Sequence, residues 1–270
     1  MSPPRILVLA GRRSATPDPL AVAAGVSHKA LVPVAGEAMI GRVLRIADEA
    51  FPDSPLFVAV EDFAIIAAEP TVARLHAAGR LTPVGAEDHI VDSVVEASRT
   101  TGFPLVLTTA DNVLMSVEGF RSIAEAGAAG GVDGIVMMAE KADILAAHPD
   151  GQRRFYKFLG GAYSNCNLFW IGNAHAFDAI ETFRYGGQFA KRKGDAVRAL
   201  GLTAILLYAS GLVTLEGMFR HFSRRFGVRV RPLVARDGRL AIDVDNDRTR
   251  RVAEEILARM NPPHLSMGRI

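Results

Sequence analysis

Hydrophobic residues fall into short continuous runs separated by longer stretches with helical spacing. Ile6 to Ala10 and Leu56 to Val60 are apolar at every position, and Leu105 to Thr109 begins with three apolar residues, which is typical of strands buried on both faces of a sheet. Leu81 to Val84 and Gly134 to Ala139 predict two further strands. The first half of the chain therefore contains repeated buried strands.

Helical spacing occupies the intervals between these strands. Glu37 to Ala50, Thr71 to Ala78 and Ile90 to Ser98 each place apolar residues on one face, and Ser116 is a suitable N-cap for a helix through Ala128. The regular alternation predicts an α/β fold with three layers: a mixed, mainly parallel sheet with helices on both faces, Rossmann-like in plan.

The regular alternation of strands and helices ends near residue 150. The predicted elements are strands at Arg153 to Leu159 and Tyr163 to Ile171, a helix at Ala174 to Phe183, mostly helix over 188–226, short strands at Val228 to Val234 and Leu240 to Ile242, and a last helix at Asp247 to Met260. The chain has no internal repeat and no low-complexity linker. We therefore expect one domain over 1–270, with a helical insertion around 188–226.

Composition narrows the possible functions. The chain has 31 basic and 29 acidic residues, with a net charge of +2, which argues against a broad nucleic-acid-binding surface but allows a local anion pocket. Cys166 is the only cysteine, so an intramolecular disulfide is excluded, and no histidine pair has zinc-ligand spacing. The apolar run near the start is too short for a secretory signal, so we expect a cytoplasmic protein.

Ala199 to Leu215 is an uncharged and strongly apolar stretch. It is shorter than the roughly 20 residues that a membrane span needs. We predict a buried helix followed by a turn. Shallow membrane contact is the alternative, because Lys191, Arg192 and Lys193 lie nearby.

The turn after the first strand is the first candidate for chemistry. Gly11 ends that strand, where α/β sheets bind ligands, and a residue without a Cβ allows a phosphate to approach the backbone closely. The stretch from Gly11 to Val26 is predicted as a loop, and Arg12, Arg13 and Lys29 provide positive charge for a polyphosphate. The alternative is an ordinary turn with solvated arginines, since the sequence has neither a dinucleotide-binding nor a P-loop motif.

Acidic residues form the second and third candidates. Asp111 ends the strand Leu105 to Thr109, and Asp243, Asp245 and Asp247 follow an apolar segment near the C-terminus. Magnesium prefers one or two carboxylates together with phosphate oxygens and water. We expect Asp243 and Asp245 to point to opposite faces, so that only one joins Asp111. The alternative to metal binding is that Asp111 caps a turn or helix and that Asp247 caps the last helix.

A fourth candidate combines basic and amide side chains. Arg153 and Lys157 lie on one predicted strand and Asn167 on the next, and such groups suit a phosphorylated, hydroxyl-rich acceptor. The alternative is a polar sheet face exposed to water.

At these positions the chain resembles the nucleotidyltransferases of the GT-A type, and more narrowly the branch related to molybdenum-cofactor guanylyltransferases. The matching segments are Leu9-Ala10-Gly11, Lys29 to Gly36, Thr109 to Leu114 and Asp243 to Thr249. The chain departs from the family where Arg12-Arg13-Ser14 replaces a second glycine and the residues after it.

The resemblance implies a magnesium-dependent reaction. A phosphate on a small-molecule acceptor would attack the α-phosphorus of a nucleoside triphosphate, CTP or GTP, and pyrophosphate would leave. Asp111 and Asp245, with Asp243 as the rival of Asp245, would bind magnesium. Lys29 and either Arg12 or Arg13 would stabilise the triphosphate.

The remaining roles also follow from the resemblance. The backbone of Leu9, Ala10 and Gly11 would contact the nucleotide, and Arg153, Lys157 and Asn167 would contact the acceptor. Two other functions stay open: a GT-A glycosyltransferase that uses a nucleotide-diphosphate sugar, and a catalytically degenerate nucleotide-binding protein.

Overall fold

The computed structural model describes residues 3–12, 16–87, 90–177 and 202–260. Its strands are β1 Arg5–Leu9, β2 Pro33–Val34, β3 Glu37–Ala38, β4 Leu56–Val60, β5 Leu81–Gly85, β6 Leu105–Thr109, β7 Gly134–Glu140, β8 Tyr156–Phe158, β9 Gly161–Ile171 and β10 Val230–Ala235. Its α-helices are α1 Pro19–Ala24, α2 Met39–Ala50, α3 Pro70–Ala77, α4 Ile90–Thr101, α5 Val117–Ala128, α6 Lys141–Ala147, α7 Leu202–Ser210, α8 Leu215–Phe226 and α9 Asp247–Met260. Short 3-10 helices lie at Lys29–Leu31, Phe63–Ile65 and Gly238–Ala241.

The main sheet has the strand order β10-β7-β9-β6-β1-β4-β5, and β8 pairs with β9 beside this path. Strands β5, β4, β1 and β6 are mutually parallel, and β7 is parallel to β10. Strand β9 runs antiparallel to β6, β7 and β8. The prediction of a mixed, mainly parallel sheet is confirmed.

Alternate residues of the central strand enter two separate cores. In β1, Ile6 and Val8 join the apolar cluster that includes Phe120 of α5 and Ile256 of α9. Leu7 points to the opposite face and joins a cluster with residues of α4. Because strand side chains alternate between faces, helices must cover both sides, which confirms the predicted three layers.

The parallel strands end together at one edge of the sheet. Backbone hydrogen bonds join Ala10 N to Ala59 O and Ala110 N to Leu9 O, each at 2.8 Å. The residues that follow Ala10 and Ala110 therefore leave the sheet at the same edge. The candidate residues Gly11 and Asp111 therefore lie side by side, each just after one of the adjacent strands β1 and β6.

Part of the predicted loop after β1 is helical. Asp18 accepts a hydrogen bond from Leu20 N, Pro19 occupies the first turn of α1, and Gly25 ends the helix with φ +67°. Proline is well tolerated at a helix start because that position needs no donated hydrogen bond. The loop prediction was wrong for Pro19–Ala24.

Two other local predictions need correction, and one helix was missed. Leu240 to Ile242 is not a strand, since Gly238–Ala241 forms a 3-10 helix capped by Asp237. Helix α2 begins at Met39, because the two residues before it pair with β2. Helix α6 was not predicted, and it follows β7 without a break.

The predicted helical region after residue 188 is described only from residue 202, and the end of the predicted helix Ala174 to Phe183 also lies outside the described residues. Helices α7 and α8 occupy the described part. The expectation that α7 is buried was wrong, since Leu206 is 58% exposed. Within the described ranges, no helix has the length and apolar character needed to cross a membrane.

Gly238 lets the segment before the C-terminal acids pack against α6. A Cβ at this position would lie 2.2 Å from the backbone carbonyl carbon of Asp143, which cannot move without displacing the helix. We expect Gly238→Ala to lower the free energy of unfolding by about 2 kcal/mol, as overpacking does. Chemical denaturation measures the change.

Gly85→Ala is the matched control, because a Cβ on Gly85 meets no atom within 4 Å and its φ is not positive. This variant should keep the wild-type free energy of unfolding within about 0.5 kcal/mol. Equal stability of the two variants would contradict the packing explanation.

Candidate active site

Asp111 stands at the carboxyl end of β6 and is 8% exposed. Its backbone carbonyl accepts a 2.9 Å hydrogen bond from Val244 N. This bond attaches the C-terminal acidic segment to the edge of the sheet. The buried Val244 side chain belongs to the main apolar core and fixes the orientation of that segment.

Asp111, Asp243 and Asp245 each present a carboxylate oxygen, and these three oxygens lie within 4.8 Å of one another. The expectation that only one of Asp243 and Asp245 would reach Asp111 was wrong. Residues at positions i and i+2 of an extended chain point to the same side. Because Val244 between them points into the core, both flanking carboxylates face Asp111.

Lys29 is the cation at this cluster. Its Nζ lies 2.7 Å from Asp111 Oδ2 and 2.9 Å from Asp245 Oδ1. It opens the 3-10 helix Lys29–Leu31, whose N-cap is His28. Burial acts to lower the pKa of Lys29, but attraction to Asp111 and Asp245 outweighs burial and raises the pKa. The ammonium is therefore held in its charged form.

Asn167 reaches the cluster from β9. Its backbone has φ +48°, and the pairing of β7 with β9 shifts register nearby, between Val136 and Met138. This irregular backbone directs Asn167 Nδ2 to Asp243 Oδ2, to which it donates at 3.3 Å. The structure thus places Asn167 beside a predicted metal ligand, while its role in binding an acceptor stays a prediction.

The cluster has more negative charge than Lys29 can offset. Burial, then repulsion from Asp245 and Asp111, raises the pKa of Asp243 to about 7. Asp111 Oδ1 is buried and makes no hydrogen bond within the described residues. Several carboxylate oxygens, one of them unsatisfied, form a donor set that suits a hard divalent cation such as Mg²⁺. The residues therefore fit a metal site.

A second charged group lies beside Gly11. Arg12 Nε is 2.9 Å from Glu61 Oε1, and His28 Nε2 is 3.3 Å from the same oxygen. Burial lowers the pKa of His28, although nearby Glu61 acts in the opposite direction. A Cβ on Gly11 would lie 2.8 Å from Ala86 Cβ, so this glycine also permits close packing between the segments that follow β1 and β5.

Glu61 was missed by sequence reasoning. The available signal was its position directly after the apolar run Leu56 to Val60, since Gly11 and Asp111 follow their own strands in the same way. Asn112 was missed as well. It is fully buried, and its Nδ2 donates to Cys166 O at 2.6 Å, which ties the end of β6 to β9.

Arg153 and Lys157 are not part of the acidic cluster. Arg13 lies outside the described residues. Arg153 is exposed and lies 3.7 Å from Asp150. Lys157 is exposed on β8, where its backbone N–H donates to the Tyr208 hydroxyl. Their contact with an acceptor stays a prediction.

No protein-family model matches the chain, and no curated protein sequence matches it significantly. Solved structures do match. A hypothetical transferase from Thermus thermophilus is 21% identical with a TM-score of 0.74, and the alignment covers 92% of this chain and 99% of that one.

Two further structures have the same fold at lower identity. CMP:2-keto-3-deoxy-manno-octonic acid synthetase in complex with CTP is 12% identical, with a TM-score of 0.55 and coverage of 96% of this chain and 100% of that one. The 4-diphosphocytidyl-2C-methyl-D-erythritol synthase from Anaerococcus prevotii is 8% identical, with a TM-score of 0.57 and coverage of 94% and 95%. At these identities the likeness establishes the fold.

Repulsion within the cluster predicts that removing one charge stabilises the protein. The pKa of Asp243, about 7 when folded, lies above the ordinary value of 3.8, so the folded state holds a proton that the unfolded chain releases between these values. This contribution to stability is lost as the pH rises toward 7. In metal-free buffer at pH 8, Asp243→Asn should have a free energy of unfolding above that of wild type by about 1–2 kcal/mol after allowance for solvent screening, and it should therefore unfold at a higher temperature.

The difference in the free energy of unfolding between Asp243→Asn and wild type should be smaller at pH 5, where the wild-type carboxyl is protonated. Asp247→Asn is the control, because Asp247 is 62% exposed and pairs with Arg250 and Arg251 on its own helix. Differential scanning calorimetry at both pH values measures the difference. A destabilised Asp243→Asn variant at pH 8 would contradict the like-charge explanation.

Proposed function

We propose that this protein is a magnesium-dependent nucleotidyltransferase, with the whole chain 1–270 acting as one domain. It would transfer a nucleotidyl group from a nucleoside triphosphate, CTP or GTP, to a phosphorylated small-molecule acceptor and release pyrophosphate. The observation that carries the proposal is the cluster of Lys29, Asp111, Asp243 and Asp245 at the carboxyl edge of a mainly parallel sheet. This edge is where open α/β sheets bind their ligands.

The acidic cluster is suited to holding the metal. Asp111 and Asp245 would be principal ligands, and Asp243 would be a third, because all three carboxylates converge. Bound Mg²⁺ would supply charge stabilisation for the phosphates at this site. Asn167 would hold Asp243 in place through the hydrogen bond from its amide nitrogen.

Lys29 and the loop after β1 would bind the triphosphate. The ammonium of Lys29 is kept charged by Asp111 and Asp245, so it can offset negative charge that develops on the phosphates. Arg12 or Arg13 would add a second cation. Ala10 N and Leu9 O already bond within the sheet, so the proposed backbone contact with the nucleotide falls on Gly11.

The chemistry needs no protein nucleophile. A phosphate oxygen of the acceptor attacks the α-phosphorus, the bond to the β-phosphate oxygen breaks, and pyrophosphate leaves. Positioning and charge stabilisation supply most of the catalysis in such phosphoryl-group chemistry. Arg153 and Lys157 would provide charge for the acceptor from the hairpin β8–β9, and Asn167 would contact it from β9.

The names of two structural neighbours support cytidine nucleotides over others. One is a synthetase of a CMP-linked sugar acid in complex with CTP, and the other is a diphosphocytidyl synthase. We therefore place CTP first and GTP second as the donor. This ordering rests on fold-level analogy.

Thermal-shift titration tests the donor and the metal together. CTP, GTP, ATP, UTP and several nucleotide-diphosphate sugars are each added to the purified protein with and without Mg²⁺. At about 100 times its dissociation constant, a ligand adds roughly 2.7 kcal/mol, a shift of several degrees for a domain of this size. We expect Mg²⁺-dependent stabilisation by CTP in wild type and its loss in Asp111→Asn.

Asp247→Asn is the matched control for Asp111→Asn, because Asp247 lies near the cluster in sequence but carries its own ion pairs on α9. It should keep the full response to CTP and Mg²⁺. Stabilisation by nucleotide-diphosphate sugars alone would contradict nucleotidyl transfer and indicate a glycosyltransferase. Stabilisation by CTP without any pyrophosphate release, across a panel of sugar and polyol phosphates, would indicate the degenerate nucleotide binder.

A further inference from the structure

Large apolar side chains are exposed where helix α7 meets the hairpin β8–β9. Leu212, directly after α7, is 74% exposed, and Leu206 is 58% exposed. We call this surface the leucine–tyrosine patch, and it consists of Tyr156, Leu159, Leu206, Leu207, Tyr208 and Leu212. Its residues lie within two short segments of the chain, 156–159 and 206–212, whereas apolar residues scattered singly are normal on a protein surface.

The two segments are held together by specific contacts. The rings of Phe158 and Tyr208 pack edge to face with centroids 5.6 Å apart. Lys157 N–H donates to the Tyr208 hydroxyl at 3.2 Å, and Leu159 N–H donates to Val213 O at 2.8 Å. A small buried cluster that includes Val213 lies beneath them. The patch is therefore part of an ordered surface.

Basic residues lie beside the patch along the chain and on the helix that packs on α7. The exposed residues Arg153, Arg154 and Lys157 lie on or beside β8, in a segment 151–171 that contains no acidic residue. Helix α8, which packs on α7, adds further exposed basic residues, and Glu216 is its single acid. The exposed basic residues of α8 are Arg220, Arg224 and Arg225. A partner for this face must therefore tolerate or require positive charge.

We propose that the leucine–tyrosine patch docks onto the surface of an anionic lipid membrane. A second copy of the chain is a poorer occupant, because a two-fold interface would bring the same basic residues against each other. An anionic bilayer attracts those residues and accepts the leucines into the region between head groups and acyl chains. The patch tyrosines have an apolar ring with a polar tip, which suits this boundary.

The geometry favours lying on the membrane over crossing it. Helix α7 spans Leu202–Ser210 and carries no charge, and it is far shorter than the roughly 20 residues of a transmembrane helix. The hairpin extends beyond the carboxyl ends of the parallel strands, since Glu140 at the end of β7 already pairs with Tyr163 near the start of β9. A docked patch would therefore place the edge that bears the acidic cluster close to the lipid surface.

Vesicle co-sedimentation of the full chain tests the proposal without any nucleotide, so the result is independent of the proposed function. The vesicles contain phosphatidylcholine alone or phosphatidylcholine with phosphatidylserine. Wild type should bind the mixed vesicles, more weakly as salt rises. The double variant Leu206→Ser, Leu212→Ser should bind about tenfold more weakly or worse. Arg153→Gln and Arg154→Gln should each weaken binding about fivefold.

Two controls match these changes in exposure and chemistry. Val22→Ser removes an apolar side chain that is 65% exposed on α1, and Arg99→Gln removes an arginine that is 71% exposed on α4. Both should bind vesicles like wild type. Circular dichroism and thermal melts verify that the patch variants are folded, as expected for substitutions of exposed side chains.

Three results would overturn the proposal. The first is wild-type protein that stays in the supernatant with both kinds of vesicle. The second is vesicle binding that the leucine substitutions leave unchanged. The third is a wild-type protein that does not bind vesicles but forms a dimer in analytical ultracentrifugation, together with a leucine variant that is a monomer. This result would assign the patch to a second copy of the chain.

Discussion

The hydrogen bond from Val244 N to Asp111 O is the contact on which the candidate site depends. It joins the carboxyl end of β6 to a segment that arrives near the end of the chain, after the sheet has been completed. Val244 anchors this segment because its side chain is fully buried in the larger core. The backbone bond and the buried valine together force Asp243 and Asp245 to face Asp111, whatever their mutual repulsion.

That repulsion is a local electrostatic cost which the surrounding fold must offset. Lys29 neutralises part of it by bridging Asp111 and Asp245, whereas Asn167 offers Asp243 a neutral amide as hydrogen-bond donor. Sites that bind charged ligands commonly retain such unfavourable groups, because stability and function make different demands on the same residues. The two apolar cores on either face of the sheet provide the rigid support that holds the carboxylates together.

Much of the fold could be predicted because its signals are local. A strand buried on both faces requires an apolar residue at nearly every position, so β1, β4 and β6 are visible in the sequence, as is the Asp111 that ends one of them. The convergence of Asp243 with Asp245 was mispredicted although it is local, because positions i and i+2 of an extended chain share a side. The exposure of Leu206 was mispredicted because it is decided by neighbours distant in sequence, whereas Glu61 had a local signal in its position directly after β4.

Strand β9 links the two surfaces for which functions are proposed. It runs antiparallel between β6 and β7, so it enters the sheet at the edge where the parallel strands end. Its left-handed residue Asn167 turns a side chain toward the acidic cluster, and its first residues form the hairpin with β8 that supports the leucine–tyrosine patch. One continuous strand therefore fixes the distance between the patch and the carboxylates.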